Sequence, residues 1–242
     1  MKIVAIVQAR MGSTRLPGKV LMDISGKPML WHVINRLKHA KLLDEVIVAT
    51  TTNKEDDIIE KICRDFEWSF YRGSSEDVLG RYFMAAKEQN ADSIVRITSD
   101  CPLIDPEIVD LVIKSHINSG ADYTSNTIKR TFPRGLDTEV FSFSALKKAH
   151  SEAKDYAERE HVSAYLYQHP DLFKLHNVEN NINLAHLRWT VDEERDLMLV
   201  REIYKRLYHK ARIFLLEDII KALQIEPHIA EINKDIKQKN VR

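Results

Sequence analysis

Apolar residues along this chain follow two spacings. Unbroken runs such as Ile3-Val4-Ala5-Ile6-Val7, Glu45-Val46-Ile47-Val48-Ala49-Thr50 and Ser93-Ile94-Val95-Arg96-Ile97-Thr98 have the length and β-branched content of strands buried on both faces. Between them apolar positions recur with the helical period. Leu30, Val33, Ile34 and Leu37 form one stripe behind Pro28, and Ile58, Ile59, Ile62 and Phe66 form another over a helix from about Glu55 to Phe66. A short strand near Ser69–Tyr71 leads past Ser74 and Ser75, either of which can cap, into a helix carrying Arg81 and Tyr82. Asp105-Pro106-Glu107 opens a further helix, with aspartate at the cap and proline in the first turn. Strand alternating with helix four times predicts an α/β fold, a mainly parallel sheet sandwiched by helices.

From Ala121 the alternation breaks. Tyr123–Asn126, Leu136–Phe143 and Phe173–Val178 read as strands, with one helical stretch, Ser144–Tyr167, among them. Leu187–Asp192 reads as a last strand ending in an acid, followed by a helix from Glu193 to about Leu207. Two short helices near Leu216–Leu223 and Ile229–Ile232 precede a polar tail, Lys234–Arg242, expected to fray. No repeat or Gly/Ser linker divides the chain. A single domain over 1–242 is therefore expected, with a β-rich excursion inserted at about 125–185. Unpaired strand edges there make that segment the expected contact of a homodimer.

Composition narrows the function classes. Lys plus Arg and Asp plus Glu stand at 36 each, so there is no overall basic field for a nucleic acid, and any polyanion site is a local feature. No stretch approaches the roughly 18 apolar residues of a membrane helix. The first apolar run is too short for a secretion signal, so a cytoplasmic protein is expected. The two cysteines, Cys63 and Cys101, are isolated and suit a reduced compartment, not a disulfide scaffold or a thiolate metal site.

The local feature is the loop after the first strand, Gln8-Ala9-Arg10-Met11-Gly12-Ser13-Thr14-Arg15-Leu16-Pro17-Gly18-Lys19. It concentrates Arg10, Arg15 and Lys19 with glycines and hydroxyls, and no acid lies within it. Five residues separate Gly12 from Gly18 and Val20 follows Lys19, which excludes a P-loop; no Gly-x-Gly-x-x-Gly triplet exists, which excludes the dinucleotide fingerprint. An uncompensated cationic loop at the carboxyl end of a strand suits a polyphosphate. Asp100 and Asp192 each stand where a predicted strand runs out. Taken alone, each reads equally well as a turn or helix-cap acid; beside the basic loop, the two carboxylates suit Mg²⁺ held together with substrate phosphates.

These residues resemble the opening motif of the acylneuraminate and 3-deoxy-manno-octulosonate cytidylyltransferases, and among them the SpsF-like branch. Further matching runs are Asp77-Val78-Leu79-Gly80-Arg81-Tyr82, Arg96-Ile97-Thr98-Ser99-Asp100-Cys101-Pro102-Leu103-Ile104, Arg134-Gly135-Leu136-Asp137-Thr138-Glu139-Val140-Phe141 and Arg159-Glu160-His161-Val162. The resemblance implies a nucleotide-diphospho-sugar transferase (GT-A-like) fold and the activation of a sugar acid by CTP, yielding a CMP-sugar and pyrophosphate for surface polysaccharide. It implies catalytic roles for Arg10, Lys19 and Asp100, and nucleotide contacts from Gln8, Ala9, Arg10, Ser13, Arg15, Lys19, Thr50, Arg81 and Thr98. Asp100 and Asp192 are the implied Mg²⁺ ligands. Arg134, Arg159 and His161 are the candidates for the sugar acid's carboxylate, with Asp137 and Glu139 for its hydroxyls. Lys129-Arg130 reads as a solvated pair of charges. The same fold also serves glycosyltransferases that consume nucleotide sugars, and an inactive nucleotide-binding scaffold is a third reading.

Overall fold

The computed structural model describes residues 1–209 and 212–237. In chain order the elements are β1 (Ile3–Gln8), β2 (Asp23–Ile24), β3 (Lys27–Pro28), α1 (Met29–Leu37), β4 (Glu45–Thr51), α2 (Asp57–Asp65), β5 (Ser69–Gly73), α3 (Val78–Glu88), β6 (Ser93–Thr98) and α4 (Pro106–Ser119). There follow β7 (Tyr123–Ser125), β8 (Glu139–Ser142), α5 (Phe143–Glu152), α6 (Tyr156–Glu160), α7 (Ala164–Gln168), β9 (Leu175–Asn177), α8 (Glu194–Leu207) and α9 (Leu216–Ile225). Seven strands form one sheet in the order β5-β4-β1-β6-β8-β7-β9, and β2 and β3 form a separate small hairpin. β5, β4, β1 and β6 are parallel, β8 runs against β6 and β7, and β9 is parallel to β7. In register Gln8 lies opposite both Ala49 and Thr98, so the carboxyl ends of the central strands share one rim.

The central strand explains the two cores. Ile3, Ala5 and Val7 of β1 point into the layer packed with α1, α4 and α8, while Val4 and Ile6 point into the layer packed with α3 and α5. Each face is covered by helices, which is why these strands read as continuous apolar runs.

The later elements depart from the sequence pattern in instructive ways. The strands of the 125–185 segment do not form a layer of their own. β8 and β7 extend the main sheet as interior strands, which leaves β9 as the exposed edge on that side. The expected helix over Ser144–Tyr167 is three helices. Ala153 turns to extended backbone, Asp155 starts a new helix in a reciprocal capping box with Glu158, and Val162 takes φ +49°. Leu187–Asp192 is not a ladder strand: Trp189 N–H donates to the Arg134 carbonyl (2.7 Å) and Val191 N–H to that of Asp100 (2.8 Å). It crosses the end of the sheet, bonding wherever a carbonyl is free. Asp77, not Ser74 or Ser75, caps α3 by accepting from Gly80 N–H (2.8 Å), and Ser74 shapes the turn before it. The Asp105 cap is as expected, accepting from the Glu107 and Ile108 amides. Of the tail expected to fray, residues 238–242 lie outside the described residues.

Two local constraints position the site. Gly135 has φ +102°, and a Cβ there would stand 2.6 Å from the Thr190 nitrogen and the Trp189 carbonyl carbon. Only glycine lets this loop pack against the segment that carries Asp192. His32 of α1 donates from Nε2 to the Ile24 carbonyl (2.6 Å) and packs edge-on against Tyr204, tying the β2–β3 hairpin behind the basic loop to α1 and α8. Burial pushes the His32 imidazole down to about 4 from its ordinary value of 6.5. The folded protein therefore holds it neutral while the unfolded chain takes up a proton below pH 6.5. Its contribution to stability is complete above that pH and is lost as the pH falls towards 4, about 3 kcal/mol in all. Urea unfolding of wild type and His32→Gln at pH 7 and pH 4.5 checks this: the wild type should lose about 2 kcal/mol more than the variant across that interval. Equal losses would refute the assignment.

Candidate active site

The basic loop opens directly from β1, and its shape is set by its own backbone. Ser13 N–H and Gly18 N–H both donate to the Met11 carbonyl (2.8 and 3.0 Å), and Gly18 takes φ +70°. Asp56, fully buried, accepts the Met11 amide (2.6 Å) and the Thr51 hydroxyl, anchoring the loop to the end of β4. The loop arches over the rim of the sheet beside a cleft of about 350 Å³.

The loop's cations do find acids, but from distant sequence. Lys19 Nζ donates to Asp100 Oδ2 (2.8 Å), to Asp192 Oδ1 (2.9 Å) and to the Val191 carbonyl (2.7 Å). Burial pulls the ammonium's pKa down, and the Asp100 and Asp192 carboxylates more than offset that, holding it above its ordinary value. Asp100 also accepts the Thr98 hydroxyl (2.6 Å). Burial pushes the Asp192 carboxyl up, but Lys19, Arg15 and Arg188 together hold it below its ordinary value. Arg15 reaches Asp192 Oδ2 at 2.9 Å and Arg188 at 3.0 Å. Arg188 in turn pairs with buried Asp196, whose carboxylate caps α8 through the Glu193 amide and takes Asn233 Nδ2 at 2.8 Å.

Arg10 behaves differently. It is exposed and makes no hydrogen bond or ion pair among the described residues. Across the cleft Arg81 is buried, with its Nε unpartnered; burial and then repulsion from Arg10 push its pKa below the usual arginine value. Two guanidiniums that repel each other across a solvent-filled cleft leave room and charge for an anion.

Of the expected nucleotide residues, Gln8, Ala9, Arg10, Ser13, Arg15, Lys19, Arg81 and Thr98 all line this cleft. Thr50 does not. It is fully buried in β4 with an unpartnered hydroxyl, and it is the next residue, Thr51, that supports the loop. Alternation of faces along a strand makes one position decisive.

The expected acceptor residues separate. His161 lines the cleft and also a second cavity of about 410 Å³, which contains Glu139. Arg159 is committed elsewhere: it forks onto the Asp77 carboxylate (Nε 2.9 Å) and bonds the His150 carbonyl (3.0 Å), pinning α6 to the cap of α3. Arg134 lines a different cavity, beside Trp189 and Asn233. Asp137 is paired through both oxygens with Arg130 (2.5 and 2.8 Å). That pairing corrects the reading of Lys129-Arg130 as solvated: Lys129 is exposed, but Arg130 is largely buried and lines the second cavity. Sequence reasoning also missed Arg96 as a site residue. It lines both cavities and pairs with Glu139. Its signal was present: a charged residue at the middle of a strand buried on both faces requires a partner.

Asp100 and Asp192 supply the oxygen ligands on offer. Among the described residues no group of three or more His, Cys, Asp or Glu is placed to hold a metal ion. Two carboxylates within reach of one ammonium, next to an anion-shaped cleft, fit a hard cation that takes its remaining ligands from phosphates and water.

The chain is similar to known proteins over most of its length. The chain is 32% identical to the spore coat polysaccharide biosynthesis protein SpsF of Bacillus subtilis over 84% of this chain and 87% of that one. It is 35% identical to the 3-deoxy-manno-octulosonate cytidylyltransferase of Geobacter metallireducens over 72% of this chain and 74% of that one. The structure of a cytidylyltransferase from Leptospira borgpetersenii superposes with a TM-score of 0.91 at 34% identity, covering 99% of this chain and all of the other. With residues 4–240 matching the family described as cytidylyltransferase, the chain belongs to the cytidylyltransferase family.

Proposed function

We propose that this chain transfers CMP from CTP to the anomeric hydroxyl of a sugar acid, releasing pyrophosphate, in the synthesis of a surface polysaccharide. The observation that carries the reading is the Lys19 ammonium shared by Asp100 and Asp192, in one cleft with Arg10 and Arg81. Support for the substrates comes from the relatives: one is named for 3-deoxy-manno-octulosonate cytidylylation and another for spore coat polysaccharide biosynthesis.

In the reaction the acceptor hydroxyl gives its proton to solvent as its oxygen bonds to the α-phosphorus, the bond from that phosphorus to the bridging oxygen breaks, and pyrophosphate leaves with its electrons. Such chemistry needs alignment and charge neutralisation, not a protein nucleophile. Arg10 and Arg81 supply donors for the phosphate chain, and Arg15 and Lys19 add charge at its loop side. Asp100 and Asp192 would hold Mg²⁺, which when bound neutralises charge on the phosphates. Thr98 keeps Asp100 oriented, and Arg188 does the same for Asp192.

Two measurements follow. Pyrophosphate release, assayed with each NTP, Mg²⁺ and a panel of sugar acids, should require CTP and an acid together. Release of a nucleoside diphosphate from a nucleotide sugar, with no such activity from CTP, would overturn the reading in favour of glycosyl transfer. Asp100→Asn and Asp192→Asn should each lower kcat by about 100-fold or more, because each removes charge at the reacting phosphate. Unchanged turnover in both would disprove their assignment.

A further inference from the structure

We propose that Arg96, held in place by Glu139, is the residue that recognises the carboxylate of the acceptor and so restricts the enzyme to sugar acids. The inference rests on the sugar-acid reading above and adds the residue that enforces it.

Arg96 stands directly opposite Glu139 across the β6–β8 ladder, and its Nη1 donates to Glu139 Oε1. This is the only side-chain hydrogen bond Arg96 makes among the described residues, and its Nε is buried with no partner. A guanidinium carries five N–H donors in a rigid fork, and leaving most of them unbonded in a largely dry setting is costly. The side chain lines two cavities, the nucleotide cleft and the 410 Å³ cavity, and so stands between the nucleotide site and the space left for an acceptor. That second volume falls within the usual range of small-molecule sites, about 300–1,000 Å³.

The other wall of the cavity makes the fork rigid. Glu139 accepts from the Tyr123 hydroxyl (2.8 Å) and the Ser163 hydroxyl as well as from Arg96, so its carboxylate is fixed on both oxygens. Ser163 reaches it from a turn in which Val162, fully buried and β-branched, takes φ +49°. A branched residue rarely adopts that region, and such strain collects at functional sites. The same turn carries His161 to the junction of the two cavities.

The chemistry selects a sugar acid over a second phosphate group. Tyr123 and Ser163 in the lining spend their hydroxyl protons on Glu139 but keep oxygen lone pairs that can accept from sugar hydroxyls. A polyphosphate would bring several negative charges up to Glu139, whereas a carboxylate brings one, which Arg96 can pair. The neighbouring cation cannot take the role, because Arg130 already spends its fork on Asp137. Arg134 and Arg159 lie outside the cavity.

The test compares 2-keto sugar acids with their methyl esters, using CTP and Mg²⁺ and measuring pyrophosphate release. Wild type should prefer acid to ester by on the order of 100-fold in kcat/KM. Arg96→Lys, which keeps the charge but not the fork, should raise KM for the acid by about 100-fold and leave KM for CTP unchanged. Should that variant fail to fold, the double variant Arg96→Gln/Glu139→Gln replaces the ion pair with a neutral hydrogen-bonded pair, and it too should lose the preference for acid over ester. Preference retained in the folded variants, or a rise in KM for CTP in place of the acid, would overturn the role of Arg96 while leaving the proposed function standing. Wild-type activity with neutral sugars only, or with no member of the panel, would overturn the sugar-acid reading and this inference with it.

Discussion

Lys19 Nζ is the point at which three remote parts of the chain meet: the loop after the first strand, the end of β6 through Asp100, and the segment beyond Trp189 through Val191 and Asp192. Two carboxylates brought this close would repel each other strongly in a partly dry setting. The ammonium between them removes that repulsion and at the same time fixes where each acid points. A buried ion pair contributes little net stability once desolvation is counted, and its value lies in specifying one arrangement. Here the arrangement is a pair of acids beside an anion cleft.

From that centre the charges alternate outward. Asp192 is held by Lys19, Arg15 and Arg188; Arg188 is held by Asp196; and Asp196 receives Asn233 from the C-terminal segment. Residues beyond α9 thus take part in placing an acid at the cleft although they lie far from it. Gly135 lets the segment carrying Asp192 approach closely enough for the network to close. The cleft side is left rich in cations that have no acid of their own, Arg10 in the open and Arg81 beneath it.

Much of this was legible in the sequence, for identifiable reasons. The four parallel strands announced themselves because both faces are covered, which forces continuous apolar runs. The basic loop was conspicuous because its cations have no acid within reach in sequence. Asp105 with Pro106 marked a helix start by local chemistry alone. Long-range pairing was not legible. Arg159 looked available for a substrate until Asp77, far away in sequence, took its fork, and Arg130 looked solvated until Asp137 folded back onto it. Thr50, expected at the nucleotide, is fully buried, and nothing in a strand's composition states which of Thr50 and Thr51 faces the loop. Leu187–Asp192 had the composition of a strand, but its partners are isolated carbonyls at the sheet's end. Arg96 was hidden inside an apolar run whose only irregularity was its own charge.

The role proposed for the Lys19-centred cluster is to receive a metal-bound nucleoside triphosphate. Calorimetric titration of CTP, in excess Mg²⁺, into the wild type and into Lys19→Met tests it most directly, with circular dichroism to confirm that both are folded. The variant should bind CTP more weakly by on the order of 30-fold or more, the loss expected when a charged partner is removed from a partly buried anion site. A folded Lys19→Met protein that binds CTP as tightly as the wild type would contradict it.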